Sequence, residues 1–316
     1  MDEKISDSID AAAAARWAQR ADPAPPWLHD EVGLRVAERL EILQLHPSAW
    51  ANWHHPRGGL GLHQALQERW PDAAVYCPDV LTINNIAIQA GLTNKNAKNT
   101  LKKGLDQHPL KALLGQVKSM WPGRRTARTH EALPPVEGVQ CIVSNMLLHS
   151  HASPQLLLKS WHRSLATDGL VFFSCLGPDT LRPLQNLYRA QAWGPPLQRL
   201  VDMHDWGDAL VNAGFATPVM EMERIELSYS SAAALLAELR ELGRNLAPQR
   251  FQGLRGKAWQ ARLLAEIEQI KAADGRIYMP FEIIYGHAFK PRPQNAGETV
   301  ISLNQLRQTL PSRQTP

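Results

Sequence analysis

The sequence predicts an α/β fold whose central strands run parallel. Two apolar runs, at residues 139–144 and 170–175, are predicted to be buried strands. Between them Leu157, Trp161 and Leu165 recur at every fourth position, which is the spacing of one helix face. A strand, a helix and a second strand joined by short links form a βαβ unit with parallel strands and a right-handed crossover. A chain of 316 residues, 44% of them hydrophobic, is long enough to bury the core of such a sheet.

Other elements follow from similar patterns, taken in chain order. Residues 26–45 carry a stripe of apolar side chains at helical spacing and are predicted to be a helix, and short apolar segments at 49–53 and 73–77 are predicted strands. In the βαβ unit, Ser153 and Pro154 indicate the helix start, and Asp168 with Gly169 indicates its end. The elements predicted downstream are a helix at 204–215 closed by Gly214, a strand at 224–230, helices at 232–244 and 257–271, and a strand at 281–289.

Composition narrows the class of protein. There is no run of about 18 apolar residues that would span a bilayer, and the acidic N-terminus lacks the order of a signal peptide, so we expect a cytoplasmic protein. The three cysteines, Cys77, Cys141 and Cys175, are far apart and have no metal-ligand spacing. No HxH or HExxH pattern of histidines is completed by a nearby carboxylate ligand, so no metal site is expected.

Positive charge is concentrated in one segment. Residues 94–128 contain nine Lys or Arg and one acid, Asp106, so this segment carries a formal charge of +8. The net charge of the whole chain is +4, so the remaining residues together carry −4. Such a segment attracts nucleic acid, an anionic membrane or an acidic protein, or it is a solvated face without a partner. Within it, residues 84–106 are faintly similar to a helix-turn-helix with a basic second helix.

Ligands of open parallel sheets bind beyond the carboxyl ends of the strands. The segments in that position are "NMLLHSH", residues 145–151, and "LGPDTL", residues 176–181. These two stretches, with "YGHAF" at 285–289 and "DMHDWGDALVNAGF" at 202–215, resemble the class I S-adenosylmethionine-dependent methyltransferases. Within that class the chain is most similar to the malonyl-acyl-carrier-protein O-methyltransferases of biotin synthesis, from about residue 135 to 290 and more loosely across 26–80.

The resemblance implies a Rossmann-like sheet of seven strands, mostly parallel with an antiparallel last strand, and helices on both faces. It implies a methyltransferase-like domain at 26–290 with a basic insertion at about 84–128. The extension at 1–25 is expected to be partly disordered, because its first fifteen residues, with five consecutive alanines, indicate a frayed helix or disorder, and the Pro-, Gln- and Asn-rich tail at 291–316 is expected to be partly unstructured. It also implies methyl transfer from S-adenosylmethionine to the free carboxylate of a malonyl thioester on acyl carrier protein. That nucleophile is already ionised and the leaving group is neutral, so alignment supplies most of the acceleration and no catalytic acid or base is predicted.

The cofactor residues are expected at three places. Where the family has an acid and a glycine turn after its first strand, this sequence has Ala51 followed by residues 52–54, "NWH". The glycines that follow are either a displaced cofactor turn or an unrelated turn before a helix: Gly58, Gly59 and Gly61. Asp79 is placed to bind ribose hydroxyls or to cap a turn, and Asn145 to line the cofactor site or to form a turn.

Four side chains are candidates for binding the substrate carboxylate, or are surface polar groups: His149, His151, Arg182 and His204. For the carrier protein the candidates are Lys98, Lys102 and Lys103, because an acidic partner is attracted by a basic face. The tryptophans near the cofactor end, Trp17, Trp27, Trp50 and Trp53, cover a ligand or belong to the core.

Three hypotheses for function remain: an active methyltransferase of the biotin-synthesis type; a methyltransferase-fold protein with lost or altered cofactor binding that acts as a binding partner; and a nucleic-acid-binding protein. Fold alone does not decide among them, because function depends on the site.

Overall fold

Seven strands form one sheet in the computed structural model, which describes residues 8–78 and 128–293. Their order is β3-β2-β1-β4-β5-β7-β6, and β7 runs in the opposite direction to the other six. The strands are β1 (Ala49–Asn52), β2 (Ala74–Tyr76), β3 (Thr129–His130), β4 (Val139–Ser144), β5 (Leu165–Leu176), β6 (Ala216–Tyr229) and β7 (Ile277–Phe289). The predicted fold class, with its antiparallel last strand, is confirmed.

Helices cover both faces of this sheet. The described helices are α1 (Ala11–Arg20), α2 (Trp27–Ile42), α3 (Leu60–Arg69), α4 (Pro154–Ser164), α5 (Arg182–Ala190), α6 (Met203–Asn212), α7 (Ala232–Leu242) and α8 (Lys257–Glu268). Apolar side chains of α2, α3, α7 and α8 pack in one core cluster, and those of α4 and α6 pack in another on the opposite face. Among the described residues, no helix has the length and apolar character required to cross a bilayer.

Strand β1 is buried on both faces, as expected of a central parallel strand. Trp50 belongs to the α2–α3 face and packs edge-on against Trp70 at a ring-centroid distance of 5.7 Å. Trp53, just past the strand, belongs to the opposite face and packs against Trp161 at 6.2 Å. Both are fully buried, so these two tryptophans are core side chains.

Helix α4 ends earlier than its sequence pattern predicts. Leu165 was expected to continue the helix, but it is fully buried, starts β5 and pairs with Val139 of β4. The β4–β5 pairing is irregular just after Leu165, where Thr167 and Asp168 are exposed; Asp168 has a left-handed φ of 60° and its N–H donates to the carbonyl of Lys290. Pairing with β4 and β7 therefore outweighs the local helical pattern.

A helix occupies part of the N-terminal extension, where the sequence left a helix or disorder open. The Asp10 side chain caps α1 by accepting from the N–H groups of Ala12 and Ala13, and it pairs with Arg250 at 2.8 Å. Ala13 and Ala14 pack against Leu246. These contacts fix α1 against the segment that follows α7.

Gly286 of β7 is predicted to tolerate no side chain. An added Cβ would lie 2.5 Å from Cζ of buried Phe173 on the neighbouring strand. We expect Gly286→Ala to lower the free energy of unfolding by about 1–3 kcal/mol in urea titrations, since overpacking a core displaces its side chains. Gly243→Ala is the control, because its Cβ meets nothing within 4 Å; equal losses in the two variants would contradict the packing argument.

Candidate functional site

A cavity of about 700 Å³ lies at the carboxyl ends of β1, β4 and β5. Its walls include the segment after β1, residues 54–57, and segments of residues 146–151 and 176–184; α1, α7 and α8 contribute the opposite side. Ligands of open α/β sheets bind at this end, and the volume lies within the range of small-molecule sites. The cavity is therefore the candidate site.

Positive charge dominates the cavity wall. Four arginines line it, Arg57, Arg240, Arg244 and Arg255, against one acid, Asp22, among the described residues. Arg57 is buried and donates to the carbonyls of Asp22, Glu241 and Leu242, so it joins the end of α1 to the end of α7. A cleft lined by one sign of charge concentrates ligands of the opposite sign. The cavity is suited to an anion.

Arg255 is held on this wall with part of its donor capacity unused. Its guanidinium lies over the rings of Phe251 and Trp259, at 4.6 and 4.2 Å, and Nη2 donates to the carbonyl of Trp193 at 2.6 Å. Within the described residues, its buried Nη1 and the buried Nε1 of Trp259 have no hydrogen-bond partner. A buried donor without an acceptor costs about 1–3 kcal/mol, which a ligand acceptor would recover.

No local sequence pattern indicates a role for Arg255. It lies between two glycines in a stretch, "FQGLRGKAW", that has no helical or strand pattern. An arginine flanked by aromatic residues was the one available signal. That signal does not show that the segment returns to the carboxyl end of the sheet.

Burial keeps His54 and His149 of the cavity wall neutral at physiological pH. Burial lowers the pKa of His149 to about 3 and that of His54 to about 4. Nδ1 of His149 accepts from the N–H of Leu176 at 3.3 Å, and Nδ1 of His151 accepts from the N–H of Ser153 at 3.1 Å. In the neutral ring these bonds leave the proton on Nε2. His149 is therefore positioned as a neutral donor and not as a cation.

Comparisons with known proteins identify the family. The chain is 34% identical over 299 residues to the malonyl-[acyl-carrier protein] O-methyltransferase of Gallionella capsiferriformans, an alignment that covers 93% of this chain and 94% of that protein. The chain belongs to this methyltransferase family. The protein of the same name from Laribacter hongkongensis is 33% identical, with 84% of this chain and 83% of that protein covered.

No protein-family model matches the chain. The solved structure of the YcgJ protein from Bacillus subtilis aligns with a TM-score of 0.45 and 10% identity over 82% of this chain and 98% of that chain.

Two of the four predicted substrate residues are brought to the cavity in this methyltransferase. His149 and His151 line it, whereas Arg182 and His204 do not. Arg182 is 55% exposed and pairs with Asp179, and His204 is 82% exposed and pairs with Asp202 at the start of α6. Arg182 begins α5, soon after β5, and His204 lies in the first turn of α6, but both side chains lie outside the cavity wall.

The cofactor candidates in the described part of the chain, three glycines and Asn145, lie beside the cavity and not in its wall. Gly58, Gly59 and Gly61 form the turn into α3, and Gly59 has a φ of 113° that favours glycine. Asn145 is fully buried behind the turn, where Nδ2 donates to the carbonyls of His29 and Gly58 at 2.7 and 2.5 Å. Their cofactor roles stay predictions.

Other predicted site residues lie outside the described part of this methyltransferase. They are the ribose candidate Asp79 and the carrier candidates Lys98, Lys102 and Lys103, with the whole segment similar to a helix-turn-helix. Their roles also stay predictions.

Buried histidines predict that acid destabilises this methyltransferase. Burial lowers the pKa of His54 and His149 in the folded state, so the unfolded state, with a pKa near 6.5, binds more protons below that value. The free energy of unfolding therefore falls as pH decreases from about 7 towards 4. At pH 5.5 each of these two side chains is expected to cost about 1.4 kcal/mol relative to pH 7.5.

Urea titrations at pH 7.5 and 5.5 measure this loss. His149→Gln keeps an acceptor near the N–H of Leu176 but does not titrate, so the variant is expected to lose less stability between the two pH values. A urea midpoint that is the same at both pH values in the wild type would show that these rings are not held neutral by the fold.

Proposed function

We propose that this chain methylates the free carboxylate of a malonyl thioester carried on acyl carrier protein, with S-adenosylmethionine as methyl donor, as a cytoplasmic step of biotin synthesis. The observation that carries the proposal is the cavity at the carboxyl end of the sheet, with its four arginines and one acid. The malonyl-[acyl-carrier protein] O-methyltransferases that resemble the chain over most of its length support the substrate.

The substrate carboxylate is assigned to the wall that carries Arg255. Nη1 of Arg255 and Nε1 of Trp259 are buried donors without described partners, and a carboxylate supplies two acceptor oxygens. A guanidinium–carboxylate contact is a charge-assisted hydrogen bond, stronger than a neutral one. Nearby cations also favour the ionised form of the carboxyl group, which is the nucleophile.

The thioester arm is assigned to the apolar side of the same cavity. Side chains of α7 and α8 supply that surface: Leu236, Leu239 and Leu263. Helix α1 covers the cavity through Ala14, Trp17 and Ala18. Enclosure of this kind excludes water and strengthens the contacts to the carboxylate.

The cavity also fits the methyl donor at its β1 side. The segment after β1 contributes His55, whose buried Nδ1 has no partner among the described residues, and the segment after β4 contributes Ser150. These residues, with His149, would hold the donor. When bound, S-adenosylmethionine supplies an electrophilic methyl group on a positively charged sulfur.

The chain's own part in the reaction is alignment. The malonyl carboxyl group has an ordinary pKa near 4 and is ionised at neutral pH, so no residue has to remove a proton. Neutral His149, on the donor side of the cavity, offers its Nε2–H as a hydrogen-bond donor and is not a competing acid. Holding two reactants in line replaces a bimolecular encounter and supplies a large share of the rate acceleration.

Growth without added biotin tests whether the chain acts in biotin synthesis. We expect the chain to restore growth of a bacterial strain that lacks its own malonyl carrier methyltransferase, and we expect the Arg255→Ala variant to restore it poorly. Failure of the wild-type chain to support growth, despite normal amounts of folded protein, would count against a role in biotin synthesis.

The choice between carrier protein and coenzyme A as the acyl carrier is tested separately. We expect malonyl-carrier protein to react faster than malonyl-coenzyme A at low salt, with a difference that shrinks as salt screens the charges. Lys98→Glu, Lys102→Glu and Lys103→Glu together should reduce the advantage of the carrier. Equal rates on both thioesters, unaffected by the three substitutions, would remove the carrier role of this segment.

A further inference from the structure

The N-terminus of α3 is already occupied by a carboxylate of the same chain. The N–H of Leu60, the first residue of the helix, donates to Oδ1 of Asp30 at 2.8 Å, and the N–H of Gly61 lies 3.4 Å from the same oxygen. A helix N-terminus favours an anion because its first N–H groups have no partner within the helix and because of the helix dipole. Asp30, in the first turn of α2, supplies that anion.

The backbone of the preceding turn is also engaged internally. The N–H of Gly58 donates to the carbonyl of His54 at 2.6 Å, and the N–H of Gly59 donates to the carbonyl of Pro56 at 3.0 Å. The carbonyl of Gly58 accepts from Nδ2 of Asn145, and Nδ1 of His54 donates to the carbonyl of Asn145 at 2.7 Å. These backbone groups therefore already have partners within the chain.

The space beside the glycines is filled by the protein as well. A Cβ would lie 2.9 Å from the carbonyl oxygen of Asn145 at Gly58, 3.2 Å from that of His29 at Gly59, and 3.0 Å from Cδ2 of Leu34 at Gly61. The neighbours of Gly59 and Gly61 belong to α2. The glycines allow α2 to pack against the start of α3, and the space they leave is used by that contact.

We infer that the turn at residues 58–61 is a closed joint between α2 and α3, in which Asp30 takes the place of a ligand carboxylate. A methyl donor bound by this chain has its carboxylate elsewhere, in the arginine-lined cavity. The identity of the donor rests on the proposed function, whereas the closed joint does not. Asp30 is a structural residue of the joint, and it makes no contact with the donor.

Amide hydrogen exchange followed by mass spectrometry tests this inference, with S-adenosylhomocysteine, the demethylated product, as the probe. In the wild type, saturating probe is expected to leave exchange of residues 58–62 within twofold of its ligand-free rate and to slow exchange in residues 146–151. Slowing of residues 58–62 by tenfold or more would overturn the inference.

Substitutions at Asp30 provide the second measurement. Asp30→Ala is expected to accelerate exchange at Leu60 and Gly61 at least tenfold without ligand. The control is Glu31→Ala, which removes the neighbouring acid and its ion pair with Arg35 and is expected to leave exchange at Leu60 and Gly61 unchanged. Asp30→Asn keeps an acceptor oxygen but removes the charge, so it serves if the alanine variant folds poorly. We expect the dissociation constant of the Asp30→Asn variant for the probe to stay within threefold of the wild-type value. A tenfold gain in affinity would show that the carboxylate of the donor binds the N-terminus of α3 when the charge of Asp30 is removed, and would overturn the inference.

Failure of the proposed function has a different signature. If the wild type binds no S-adenosylhomocysteine, the proposed methyl transfer is contradicted, while accelerated exchange in Asp30→Ala without ligand still supports the closed joint. Unchanged exchange in Asp30→Ala would overturn the joint, whatever the activity of the protein.

Discussion

Asn145→Asp is expected to lower the free energy of unfolding by about 3–5 kcal/mol, which is the range for an uncompensated buried charge. Nδ2 of Asn145 donates to the carbonyls of His29 and Gly58, and Oδ1 accepts from Oγ of Ser174 at 2.5 Å. An aspartate would place an acceptor oxygen against two carbonyl oxygens in a fully buried site. The loss is measured from urea titrations at pH 7.5.

The matched control is Asn186→Asp, on the exposed face of α5 beside Arg189. Surface substitutions of this kind change stability by about 0.5 kcal/mol or less. If both variants lose the same stability, Asn145 does not have the connecting role assigned to it between β4, α2 and the turn before α3.

Arg255→Ala is expected to lower kcat/KM for malonyl-carrier protein at least 100-fold, equivalent to about 2.7 kcal/mol of lost transition-state stabilisation. The variant loses the cation assigned to the substrate carboxylate. Arg255→Lys keeps a charge but not the planar fork and is expected to recover part of the loss. Trp259→Phe removes Nε1 while keeping an aromatic ring and is expected to cause a smaller loss.

Arg262→Ala is the control for this series. Arg262 is an arginine of α8 that also lies over an aromatic ring, Trp193 at 5.5 Å, but it is absent from the cavity wall. Binding of malonyl- and acetyl-carrier protein gives a second readout, because the acetyl form lacks the carboxylate. If Arg255→Ala keeps the wild-type preference for the malonyl form, the carboxylate does not bind at Arg255.

Short-range pattern predicted the sheet better than it predicted the site. The run at Val139–Ser144 and the helix from Pro154 are local features, and the structure reproduces them at those positions. The predicted end of α4 was wrong because Leu165 pairs with Val139, a contact between residues 26 positions apart in the chain. Local helix propensity carries no information about this competing strand pairing.

The candidate site depends on contacts that sequence spacing does not reveal. His149 and His151 directly follow β4, so the topology alone brought them to the cavity. Arg255 reaches it from a patternless segment before α8, more than 70 residues after the last residue of β5. Asp30 caps a helix that begins 30 residues later, and only the packing of α2 against α3 makes that contact possible.

The departure from the family's glycine motif has a structural counterpart. Residues 50–53 place one tryptophan in each core cluster, and the next histidine bonds to Asn145. The later glycines serve the joint between α2 and α3. In the proposed function, arginine side chains of the cavity wall, and not backbone groups of a glycine turn, would bind the anionic groups of the ligands.

Methylation of a malonyl carboxylate by this chain would change the mass of the intact carrier protein, which mass spectrometry measures. Malonyl-carrier protein incubated with the chain and S-adenosylmethionine should gain the mass of one methylene unit, as expected for a methyl ester, and acetyl-carrier protein should gain none. The gain should depend on Arg255 and not on Arg262. An unchanged mass of malonyl-carrier protein, with folded wild-type chain and saturating donor, would contradict the account.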